Sequence, residues 1–145
     1  MSIRLNRKKL LCISFFLCCV LPACFNWFEN ESSNWSGLSM LELPLLISTT
    51  LFAFALMFER PRYMLPLGIF SHILLLVFLL NSFISFPVIV GITAVRDLSL
   101  SLAMVRPAYW LGLALLLVHL TLFTSTEIAM QKLARHTAAQ NASNN

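Results

Sequence analysis

The sequence predicts an all-α integral membrane protein, folded as a bundle of four transmembrane helices. Three observations predict this fold. Hydrophobic residues make up 59% of the 145-residue chain. Charged residues make up only 11%, whereas charge accounts for about a quarter of an ordinary soluble chain. Four long runs almost free of charge approach the roughly 20 residues that a helix needs to cross about 30 Å of hydrocarbon.

These runs define the predicted spans and the segments between them. Only the second run contains a charged residue, Glu42, which lies close to one end. The predicted spans are Leu10–Phe28, Leu38–Phe58, Met64–Phe86 and Ala108–Thr126. The remaining segments are residues 1–9, 29–37, 59–63, 87–107 and 127–145.

The basic residues predict the orientation of the chain, because positive charge resists transfer across a membrane. Two of the ten, Arg96 and Arg106, lie on one side of the predicted spans. We therefore expect both termini in the cytoplasm and a role in membrane anchoring, rather than nucleic-acid binding, for the net charge of +4. The eight on the other side are Arg4, Arg7, Lys8, Lys9, Arg60, Arg62, Lys132 and Arg135.

The N-terminus permits a second interpretation. Basic residues, a short apolar stretch and the sequence Leu21–Cys24 also fit a bacterial lipoprotein signal, in which Cys24 would carry the lipid. Pro22 is unusual two positions before such a cysteine, and the apolar character continues to Phe28. We expect a retained first span in a bacterial inner membrane, with cleavage before Cys24 as the alternative.

The last outer segment and the tail carry their own patterns. Leucine or methionine alternates with serine or alanine over Leu98–Met104, a period of two that is typical of a strand. We expect a short extended segment against the outer mouth of the bundle, pairing with the first outer loop. The alternative is an interfacial helix with Arg96 and Arg106 at its ends. Residues 138–145 are small and polar, and we expect them to be disordered.

Two histidines within the predicted spans are the main candidate functional residues. His72 lies eight residues after Met64, and His119 lies eight residues before Glu127. Both are therefore about 12 Å from the same membrane face. If the third and fourth spans are neighbours, the imidazoles can meet and bind a metal or relay a proton. The alternative is a structural role, with each ring bonded to Ser71, Thr121 or a backbone carbonyl.

Other polar residues give weaker signals. Glu42 and Asn81 lie at similar depth near the outer face, where they could bond to each other. Glu127 lies near Lys132 and Arg135, an arrangement that suits anchoring. Four cysteines fall in the first span without paired C-x-x-C spacing, so we expect packing roles and no metal site. They are Cys12, Cys18, Cys19 and Cys24.

These observations favour a non-enzymatic accessory, assembly or protective subunit of a membrane complex. The sequence contains no nucleophile motif, phosphate-binding loop or repeated half, so we expect no catalytic residue and no cofactor. The partners are the lipid bilayer and another membrane protein or a second copy of the chain. The alternative is an oligomeric transporter or channel-like protein with a polar path through His72, His119 and Glu42.

Overall fold

The computed structural model describes residues 2–31, 33–58 and 61–143, which form mainly helices. Helix α1 covers Ser2–Phe15 and continues through a π turn, Phe16–Val20, and a 3₁₀ turn, Leu21–Cys24. An antiparallel hairpin follows, with β1 at Asn26–Glu29 and β2 at Asn34–Ser36. The remaining helices are α2 at Gly37–Met57, α3 at Pro61–Ile89, α4 at Leu98–Met104 and α5 at Pro107–Ser143.

Three of these helices are long and apolar enough to cross a membrane. The qualifying segments are all of α2, residues 63–89 of α3 and residues 107–137 of α5. Their lengths of 21, 27 and 31 residues suffice to cross the hydrocarbon, and the predicted second and third spans agree with α2 and α3 to within three residues at each end. The chain is therefore an integral membrane protein.

The first predicted span, Leu10–Phe28, is not one continuous helix. Helical structure ends at Cys24, Phe25 is extended, and Trp27 and Phe28 belong to β1. Aromatic residues suit strands, and here Phe28 pairs with Trp35 of β2 while the rings of Trp27 and Phe28 are buried. The predicted span is therefore divided between α1, its two helical turns and the first strand of the hairpin.

The hairpin closes one end of the bundle through its aromatic rings. Phe28 stacks on Phe86 of α3 with ring centroids 3.9 Å apart. The indole N–H of Trp27 donates to the Pro22 carbonyl at 2.9 Å. A side chain at position 37 would overlap the Trp27 ring, so the glycine there permits α2 to begin directly beside the hairpin. We call this the hairpin end of the bundle.

The predicted strand at Leu98–Met104 is wrong, because this segment is α4. Asp97 caps the helix by accepting the Leu100 amide N–H at 3.1 Å. From the capping residue to the end of α4, the least exposed positions are 97, 100, 101 and 104, which follow the spacing of a helix. The alternative prediction of a helix agrees with the structure of this segment. One residue later, Val105 forms an antiparallel bridge with Phe28, the last residue of the predicted first span and not part of the predicted first loop.

The turn before α3, the end of α3 and the C-terminal tail differ in how well they match the predictions. Glu59 and Arg60 of the predicted turn lie outside the described residues, and α3 begins at Pro61. At its other end α3 is followed by Gly91, whose φ of 74° is readily adopted only by glycine. The predicted disordered tail is helical as far as Ser143, because strong helix formers after Met130 extend α5.

Candidate functional site: a buried histidine pair

The two histidines meet in the centre of the bundle. His72 lies on α3 and His119 on α5, and both side chains are buried. His72 Nε2 is 2.7 Å from His119 Nδ1. Each histidine lies seven or eight residues from the same end of its predicted span, so the two rings lie at the same height along the bundle when α3 and α5 pack together.

Hydrogen bonds continue from the pair in both directions. His72 Nδ1 donates to the Gly68 carbonyl, one turn earlier in α3, at 2.7 Å. His119 Nε2 is 2.9 Å from the hydroxyl oxygen of Ser14 in α1. The Ser14 hydroxyl is in turn 3.0 Å from the Leu11 carbonyl. Three helices therefore contribute to one chain of four polar links.

The number of available hydrogens limits how many of these four links can be hydrogen bonds. A neutral imidazole has one N–H and a hydroxyl has one O–H, so two histidines and Ser14 supply three hydrogens for four links. The series of links ends at the Gly68 and Leu11 carbonyls, which only accept hydrogen bonds. With all side chains neutral, three links are filled when Ser14 donates to His119. The fourth link is filled when a cation is added.

The position of such a cation lies between the facing nitrogens of the two histidines. If Ser14 donates to Leu11, His119 donates to Ser14 through Nε2, and His72 donates to Gly68 through Nδ1. The nitrogens left over are His72 Nε2 and His119 Nδ1, which then present two lone pairs to each other across 2.7 Å. A proton or a metal ion between them satisfies both.

A cysteine lies beside the two imidazoles. Cys19, on the π turn, is buried, and one ligand atom each from Cys19, His72 and His119 can be chosen so that all three lie within 4.8 Å of one another. These atoms are a sulfur and two imidazole nitrogens, which transition metals bind well. The group formed by Ser14, Cys19, His72 and His119 is called the histidine cluster below.

Phenylalanine rings surround the histidine cluster. Phe15 and Phe52 stack with centroids 4.3 Å apart, and both rings lie roughly perpendicular to the two imidazoles, with centroids 5.3 to 5.8 Å from theirs. Phe123 stacks on His72 with centroids 5.7 Å apart. These three rings are themselves buried. The cluster is therefore a compact polar centre inside an aromatic shell.

The other predicted candidates do not join the cluster. Glu42 on α2 and Asn81 on α3 are exposed, and neither has a hydrogen-bond or ion-pair partner among the residues that the structure describes. Cys24 is exposed at the end of the 3₁₀ turn. The suggested histidine partners bond elsewhere, Ser71 to the Ser48 carbonyl and Thr121 to the Leu117 carbonyl.

Sequence reasoning missed Ser14, Cys19 and the partner of Glu127. The π turn that contains Cys19 was not predictable, although its i→i+5 bonding brings residues five apart closer to one face than an α-helix does. Glu127 pairs with Arg7 of α1 and is fully buried. The sequence placed Lys132 and Arg135 near Glu127, whereas the structure pairs this buried carboxylate with Arg7.

Comparisons of the chain with protein-family models, curated proteins and solved structures found no match.

Proposed function

We propose that the chain is a non-enzymatic membrane protein that acts by packing against another membrane protein, as an accessory, assembly or protective subunit. The observation that carries this proposal is the exposure of Glu42 and Asn81 on helices that can cross a membrane. Polar groups facing hydrocarbon are costly. A partner helix that offers a hydrogen-bond donor would satisfy them.

Glu42 and Asn81 differ in their distance from the membrane interface, and therefore in the free-energy cost of facing hydrocarbon. Glu42 lies five residues into α2, about 8 Å along the axis from the hairpin end, where its carboxylate can reach the interface. Asn81 lies eight residues before the end of α3, about 12 Å along the axis, and its amide is too short to reach as far. Asn81 is therefore the stronger indicator of a partner surface.

The proposal includes a fourth span formed by α1 and its two turns. Arg7 pairs with Glu127 at one end, and the Trp27 carbonyl accepts the Arg106 amide N–H at 2.7 Å at the other. The 21 residues of α5 from Pro107 to Glu127 correspond to about 30 Å, the thickness of hydrocarbon. The segment from Arg7 to Trp27 would cover the same distance beside them.

The same contacts favour retention of the N-terminal segment. Phe15, Ser14 and Arg7 contact α2 or α5 in the interior of the bundle, and cleavage before Cys24 would remove all three. The basic residues favour cytoplasmic termini, and we place the protein in a bacterial inner membrane.

Co-purification in mild detergent tests the partner proposal. The wild-type chain should carry a larger membrane protein at a fixed ratio. A variant with Glu42→Leu and Asn81→Leu should lose that partner while it still accumulates, because leucine suits a lipid-facing position. Thr50→Val is the matched control, because Thr50 is exposed on α2 and bonds its own helix at the Leu46 carbonyl.

Two results would count against the proposal. One is a self-oligomer as the sole species that purifies with the chain. The other is a partner that the double variant retains as fully as wild type does.

A second candidate function is proton or ion transfer by an oligomer, which the continuous polar links of the histidine cluster favour. The path would not include Glu42, which is exposed on α2. Substituting His72 and His119 by leucine tests it. Normal accumulation with lost ion flux in vesicles would support transfer, and unchanged flux would exclude it.

A further inference from the structure

We propose that Cys19, His72 and His119 bind one Cu(I) ion, a site independent of the partner-binding function. The inference revises the expectation that the chain has no metal site. It rests on the placement of three buried ligand atoms, one from each side chain, within 4.8 Å of one another. It also rests on the missing fourth hydrogen of the polar chain.

The two imidazoles are already oriented as metal ligands. Histidines that bind metals almost always donate the other ring N–H to a carbonyl, carboxylate or water, which fixes the tautomer. His72 does this through Nδ1 to the Gly68 carbonyl. His119 can do the same through Nε2 to Ser14, whose hydroxyl is positioned to donate to Leu11. His72 Nε2 and His119 Nδ1 then face the shared ion.

Only small movements are needed for the ion to enter. Metal–imidazole bonds of about 2.0 Å require the two nitrogens to be roughly 3.3 to 3.5 Å apart in tetrahedral or trigonal geometry. They are 2.7 Å apart in the structure, so a slight tilt of the rings suffices. The Cys19 sulfur would move towards the nitrogens by rotation about its side-chain bonds.

Ligand type and charge select Cu(I) over divalent ions. Thiolate and imidazole ligands suit Cu(I) and Zn²⁺. As the copper–sulfur bond forms, the Cys19 thiol releases its proton to the medium, because the thiolate is the ligand. Cu(I) with one thiolate and two neutral imidazoles is uncharged, whereas Zn²⁺ with the same ligands keeps a charge of +1. The surrounding rings of Phe15 and Phe52 disfavour that charge.

The test uses the full chain in detergent, with Cys12→Ser and Cys24→Ser to remove the two exposed thiols. This background is titrated with Cu(I) under anaerobic conditions against a chromophoric Cu(I) chelator of known affinity. We expect one Cu(I) per chain. X-ray absorption at the copper edge should show one sulfur and two nitrogen neighbours.

Variants at adjacent cysteines provide the matched comparison. Cys19→Ala should weaken Cu(I) binding by more than about 100-fold, beyond what loss of a supporting residue causes. Cys18→Ala, at the half-buried neighbouring position, should leave the affinity within about threefold of the background. Ser14→Ala should weaken binding by about 10- to 100-fold, because it removes the acceptor that orients His119. Near-UV circular dichroism checks that each variant is folded.

Three results would overturn the proposal. The first is equal Cu(I) affinity in Cys19→Ala and Cys18→Ala. The second is retention of Zn²⁺ in preference to Cu(I) when both are supplied. The third is absence of a bound metal in the folded background chain, which would leave the histidine pair joined by a hydrogen bond alone.

Discussion

The guanidinium of Arg7 lies against the carboxylate of Glu127 and joins α1 to α5 near the ends of the chain. The Glu127 side chain is fully buried, whereas that of Arg7 is 30% exposed. This difference makes the pair asymmetric. Without Arg7, a buried carboxylate loses its cation, but without Glu127 the guanidinium can still reach water or headgroups.

We predict that Arg7→Met lowers the free energy of unfolding by about 3 kcal/mol, the lower end for breaking a buried pair, because Arg7 is partly exposed. Glu127→Leu should cost less. Combining the two substitutions should recover part of the loss, because no buried charge then remains. Reversible unfolding in mixed detergent micelles measures all three variants.

Lys9→Met provides the control, because Lys9 is an exposed basic residue on the same helix. It should have little effect. Equal destabilisation by Arg7→Met and Lys9→Met would contradict the asymmetric pair and would assign the effect to general loss of basic charge.

A glycine beside the histidine cluster gives the second prediction. A methyl group at Gly68 would overlap the ring of Phe123, which stacks on His72. We expect Gly68→Ala to destabilise the protein by about 1 to 3 kcal/mol through overpacking, despite the helix preference of alanine. Thermal unfolding followed by near-UV circular dichroism measures the change.

Gly112→Ala is the matched control for this substitution. The new methyl group would lie 3.4 Å from Pro22 and Trp27, an ordinary contact, so stability should change little. Phe123→Leu should relieve part of the Gly68→Ala penalty by opening space. If Gly68→Ala were as stable as Gly112→Ala, the close packing of α3 on Phe123 would be wrong.

The capping residue of α4 gives the third prediction, a dependence on pH. The Ser99 hydroxyl donates to Asp97 Oδ1 at 2.6 Å, and the Leu100 amide donates to it at 3.1 Å. These bonds hold the pKa of the Asp97 carboxyl below its ordinary value. A lowered carboxyl pKa stabilises the folded form fully above the ordinary value of about 4. That contribution is lost as pH falls through the folded-state pKa.

Hydrogen exchange at the Leu100 amide measures this effect. Once corrected for the intrinsic rate, its protection should be constant above about pH 5 and should fall below about pH 4. Asp97→Asn should remove the dependence. The Ser39 amide, which bonds to Ser36 Oγ at 3.2 Å in the α2 cap, contains no titrating acceptor and serves as an internal control. Constant protection at Leu100 down to pH 2 would exclude the proposed cap.

Sequence reasoning succeeded where one physical requirement dominates. Long uncharged runs must be helical in hydrocarbon, and this identified α2, α3 and the main part of α5. The level of His72 and His119 followed from counting residues along these helices. The strand prediction for α4 was wrong because alternation was assumed to reflect burial of leucine. Leu98 and Leu102 are about half exposed, and Ser101 is fully buried.

The parts of the site that were missed depend on tertiary structure. The rotation of α1 decides that Ser14 and Cys19 face the bundle, and a π turn between Phe16 and Val20 helps to set that rotation. Nothing in the local composition specifies such a turn. Pairing of Arg7 with Glu127 likewise requires two helices from opposite ends of the chain to be neighbours.

The central structural claim is that His72 and His119 share one hydrogen bond inside the bundle. The most direct measurement is the scalar coupling between their ring nitrogens across that bond, in ¹⁵N-labelled, metal-free protein in detergent. We predict a correlation between His119 Nδ1 and His72 Nε2, with His72 protonated at Nδ1 because that nitrogen donates to Gly68. Uncoupled rings with rapidly exchanging hydrogens would contradict the pair and everything inferred from it.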